Sequence, residues 1–100
     1  MVEVKRICAA EKSFIGIHLH LPGYPSYMIV TAKTILAQNM FQIQYFEKDA
    51  DIAVIITEYH YGFDALLNAR VIAMNEAAKA HGVTLMMNGK EALLLCESER

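Results

Sequence analysis

The sequence predicts an α+β fold: an N-terminal antiparallel β-sheet region, then mixed β segments with three to four short helices packed on the sheet. Three observations lead there. Apolar and polar residues alternate through most of the first 21 positions, the period of a strand. A Pro22-Gly23-Tyr24-Pro25-Ser26 cluster then breaks the pattern. Beyond Gly62, apolar residues recur at spacings of three and four, the period of a helix. One hundred residues suffice for one hydrophobic core, so residues 1–100 read as one domain, with 1–40 mainly β and 41–100 mixed.

Taken in order, residues 2–7 and 14–21 alternate and read as an antiparallel pair, with residues 9–12 as the connection. Two apolar runs follow the proline loop, at residues 27–32 and 34–40. Residues 41–46 are ambiguous: their alternation fits a strand, while Glu47-Lys48-Asp49 after them could close a short helix. The continuously apolar run at 52–56 has the pattern of a central strand covered on both faces. Residues 63–67 suit a short helix, with Asp64 near its positive end. A longer helix is expected from about residue 69 to Gly82, with Val71, Met74, Ala78 and His81 on one face and Asn75, Glu76 and Lys79 elsewhere. Residues 83–87 read as a last strand. Asn88-Gly89-Lys90-Glu91 opens a final helix, Asn88 capping it and Glu91 reaching back.

Composition narrows the function classes. Hydrophobic residues make up 55% of the chain, rich for a domain of this size, so part of the apolar surface is expected to be covered by a second copy. A net charge of −2 with both signs interspersed leaves no basic stripe, so no nucleic-acid partner is expected. No apolar stretch approaches the roughly 20 residues of a spanning helix, and the first residues lack an apolar signal core, so the expectation is a cytoplasmic protein with no membrane partner. Cys8 and Cys96 lack the paired spacing of zinc or redox sites, and no cofactor is expected.

Several C-terminal segments, Phe63-Asp64-Ala65-Leu66-Leu67-Asn68-Ala69, Ala77-Ala78, Gly82-Val83 and Met87-Asn88-Gly89-Lys90-Glu91-Ala92-Leu93, resemble the bacterial and archaeal YunC-like family, domain of unknown function 1805. Phe14-Ile15-Gly16 and Leu21-Pro22 extend the likeness more thinly. The resemblance implies tetramerisation through the N-terminal sheet and tips residues 41–48 toward helix. It implies no established activity. Relatives often carry Cys-Gly where this chain has Ala37-Gln38, and Glu58-Tyr59-His60-Tyr61-Gly62 replaces a segment that tends to contain glycine, lysine and threonine.

Few residues point to chemistry. His18 and His20 stand two apart in a strand and share a face, as metal ligands would, but two ligands are not a site; a polar, solvent-facing or interface-facing side of an edge strand, with Ile17, Leu19 and Leu21 inward, is the plainer reading. Glu58 and His60 could pair beside a pocket as catalytic groups. Asn88, Gly89 and Lys90 could receive an anion at a helix start, although helix capping explains them as well. The leading expectation is therefore a non-catalytic homo-oligomeric module that binds a small molecule or a protein partner. The alternative is an enzyme with an intersubunit site using His60 and Glu58, joined by His18 and His20.

Overall fold

Strand β1 (Val2–Ala9) and strand β2 (Lys12–Leu19) form the expected antiparallel hairpin. Ala10 and Glu11 close it with φ of 52° and 67°. That left-handed pair is what a two-residue hairpin turn needs to match the twist of its strands. The chain turns again at Pro22 and Gly23 and enters β3 (Ser26–Val30), then β4 (Thr34–Gln38). The computed structural model describes residues 2–20, 22–23, 25–38, 51–58 and 61–98, so the ambiguous stretch at 41–48 lies outside the described residues.

All five residues of β5 (Ala53–Thr57) are buried, as its unbroken apolar pattern requires. It runs parallel to β4 and antiparallel to β6 (Val71–Met74). The six strands among the described residues lie side by side in chain order, so β5 has a neighbour on each side but is next to the last of them, not at their middle.

Helix α1 (Phe63–Asn68) forms where expected, with Asp64 in its first turn. The long helix from residue 69 does not. Residues 71–74 are strand β6, and only α2 (Glu76–Ala80) is helical. Val71 and Met74 satisfy a helical spacing, but the unpaired edge of β5 offers this run a ladder of backbone hydrogen bonds, and local periodicity does not register that choice. Asn75 makes the break. Its Oδ1 accepts from Ala78 N at 3.1 Å, capping α2, and from Val54 N at 3.0 Å, while its Nδ2 donates to Ile52 O at 2.7 Å. One buried amide thus ties the helix start to β5.

Gly82, at φ 95°, turns the chain out of α2 as its position suggests. The strand expected at 83–87 is a series of turns: Val83 N donates to Ala78 O at 3.2 Å and Met87 N to Thr84 O at 3.3 Å. Only an isolated bridge between Arg70 and Asn88 keeps a trace of pairing. Helix α3 (Gly89–Glu97) begins with the expected capping box, Glu91 N donating to Asn88 Oδ1 at 2.8 Å and Asn88 N to Glu91 Oε1 at 3.0 Å.

The three helices among the described residues pack on one face of the sheet. Leu66, Leu67, Ala77, Ala78, Leu93 and Cys96 meet Phe14, Ile29, Leu36 and Ile55 in the main core. At Gly16 a Cβ would come within 2.6 Å of the Phe63 ring and 2.7 Å of Ile7, so only glycine lets α1 sit this close to β2. On the opposite face, cross-strand partners form an apolar row through Val4, Ile17, Met28, Ala37, Ile56 and Ala73. Ala37, Val54 and Ile56 are buried there, whereas Val2, Val4 and Ile15 are 59%, 66% and 56% exposed.

Candidate functional site

A cleft of about 450 Å³ opens on the helix-covered side of the β1–β2 end, between β1 and the start of α1. His18 lies in its wall, 8% exposed, and β2 has a neighbour on each side, contrary to the expectation of a solvent-facing or interface-facing side of an edge strand with Ile17 and Leu19 inward. The reversal has a physical cause. Alternation identifies a strand and tells its two faces apart without saying which side the helices cover, and the close seat of Phe63 on Gly16 decides it.

Antiparallel register places Glu3 directly opposite His18 on β1 and Tyr27 opposite it on β3. The His18 ring stacks on Tyr27 with centroids 4.2 Å apart and planes 15° apart, and lies 3.9 Å from the His20 ring. Tyr27 in turn meets the edges of Tyr61 and Phe63 at 5.4 and 5.1 Å. His18 Nδ1 lies 3.3 Å from Glu3 Oε1, and His20 Nε2 lies 3.8 Å from the same oxygen. Nε2 of His18 is buried without a hydrogen-bond partner among the described residues. The ligand atoms of Glu3, His18 and His20 all fall within 4.8 Å of one another.

The other candidates are placed differently. Glu58 Oε2 lies 3.4 Å from Arg70 Nη2, and Glu58 N donates to Arg70 O at 3.1 Å, so Glu58 braces the approach to β6. His60 lies outside the described residues. Asn88 is spent on the capping box, Gly89 N donates to Ala69 O at 2.9 Å, and a Cβ on Gly89 would meet Leu66 O at 2.6 Å; these groups start α3 and seat it against α1. Lys90 is exposed. Cys8 is exposed, while Cys96 is buried and its thiol is pushed up to about 11, first by desolvation and then by the neighbouring Glu97 charge.

Comparison with known proteins extends the fold alone. No family profile matches the chain, and no curated protein does. The crystal structure of a protein of unknown function from Thermoplasma acidophilum is similar over 93% of this chain and 90% of its own, with a TM-score of 0.81 and 16% identity. The α+β architecture is therefore one that nature uses elsewhere. No helix among the described residues is long and apolar enough to cross a membrane.

Glu3 is the residue that sequence reasoning missed. Its signal was present: with the chain reversing at residues 10–11, counting back along β1 puts Glu3 across from His18. The same count about the turn at Pro22 and Gly23 puts Tyr27 across from His18, whereas Phe63 had no such signal, because α1 arrives through a longer connection.

Proposed function

We propose that the chain is a non-catalytic homo-oligomeric module that assembles through the open face of its N-terminal sheet and holds a small ligand in the cleft on the other face. The observation that carries this reading is the exposure of Val2, Val4 and Ile15 on a face continuous with the partly buried Ile17, Leu19 and Val30. Side chains of this kind left in water forfeit roughly 1.5–3 kcal/mol each relative to full burial. A second copy is the natural cover, since two such faces packed together bury equivalent patches on both chains.

Assignment to the YunC-like family, a tetrameric state and a cytoplasmic location belong to the same proposal. They are supported by the C-terminal motifs, the apolar surplus and the sparing use of cysteine. Size-exclusion chromatography with light scattering tests the assembly. The chain should elute as a multiple of 11.2 kDa, four copies on this reading. A Val4→Glu, Ile15→Glu double variant should run as a folded species of lower mass. A monomeric parent at micromolar concentration, or a variant with unchanged mass, overturns the proposal.

A further inference from the structure

We propose that Glu3, His18 and His20 form a binding site for a divalent first-row transition-metal ion such as Zn²⁺. The inference does not depend on the oligomer, since all three residues come from one hairpin of one chain.

The donor set is the first argument. Two imidazole nitrogens and one carboxylate oxygen hold Zn²⁺ in open sites and occur in facial iron sites, and they leave a position for water or a ligand. Geometry is the second. Ligand atoms around one tetrahedral zinc sit roughly 3.4 Å apart when the bonds are about 2.0–2.2 Å long. Here they lie within 4.8 Å of one another. Glu3 and His20 are exposed at their side chains, so small rotations of these two close the remaining distance onto the fixed His18 ring.

Support for that ring is the third argument. His18 is buried, stacked on Tyr27 and opposed by Glu3 through strand register, so its position comes from the sheet and not from a loop. Protein groups use its polar capacity poorly. The 3.3 Å approach of Nδ1 to Glu3 is at the long end of hydrogen bonding, and Nε2 has no partner among the described residues; the same Glu3 oxygen lies 3.8 Å from His20 Nε2, beyond hydrogen-bond reach. Buried polar capacity left unspent in this way commonly marks the place of an ion or water. Lys5 lines the same cleft and opposes a cation; Asp64 on the facing wall offsets it.

Calorimetric titration of Zn²⁺ into the chelator-treated, tag-free full chain tests the site. One ion should bind per chain and raise Tm. Glu3→Gln and His20→Ala, both at exposed positions where folding can be verified by circular dichroism, should each weaken binding by at least about tenfold and abolish the Tm shift. His81→Ala should bind as the parent does. No binding by the parent, or parent-like affinity in both the Glu3 and His20 variants, overturns the proposal.

Discussion

The two ends of the sheet are finished differently. Around β4 and β5 both faces are closed: Leu36 and Ile55 are fully buried on the helix side, and Ala37 and Val54 are all but inaccessible on the other. Around β1 and β2 only the helix side is closed, by Phe63 over Gly16, while Val2, Val4 and Ile15 meet water. The same alternation of aliphatic side chains thus builds a core at one end and an open surface at the other. Stability should accordingly be concentrated around β5. Recognition should be concentrated around the hairpin, where an open apolar face and a polar cleft lie back to back across one layer of backbone.

The largest test of this contrast is a matched pair of truncations. Ile55→Ala should cost about 3 kcal/mol in urea unfolding, from lost burial and the cavity it leaves. Ile15→Ala should cost no more than about 0.5 kcal/mol when measured on the monomer. Equal losses would mean that the hairpin face is packed within the single chain, and would break the contrast.

A smaller effect is expected at Gly16. Its substitution by alanine should destabilise by about 1–3 kcal/mol, because the added Cβ runs into Phe63 and Ile7. The same unfolding experiment reads it. A neutral outcome would show that the helix side of the hairpin is looser than the β5 end and that the cleft beside it is less rigid.

The smallest effect belongs to the hairpin turn, where neither Ala10 nor Glu11 is a residue that favours its positive φ. Replacing the pair by Asn-Gly, as Ala10→Asn with Glu11→Gly, should stabilise by roughly 0.5–1 kcal/mol and raise Tm by a few degrees. A loss of stability would show that the Glu11 side chain is needed in the turn.

What the sequence determined by itself is whatever depends on near neighbours. The β1–β2 hairpin, the short helix after Gly62 and the Asn88–Glu91 capping box were legible because each is closed by contacts near in the chain, and the buried character of β5 because its apolar run has no polar face to turn outward. Asn75 belonged to this class too, since an Asn before Glu76-Ala77-Ala78 is a helix-start signal, but the apparent periodicity through residues 71–81 masked it. Tertiary structure alone decided the rest. Val71–Met74 became a strand because the edge of β5 was there to pair with it, and residues 83–87 became turns because Val83 bonds back to Ala78. His18 was drawn into the covered wall, opposite Glu3, because α1 packs on the Gly16 side of β2. Alternation records that two faces differ; which face is covered depends on helices that arrive dozens of residues later, and the candidate site depends on that choice.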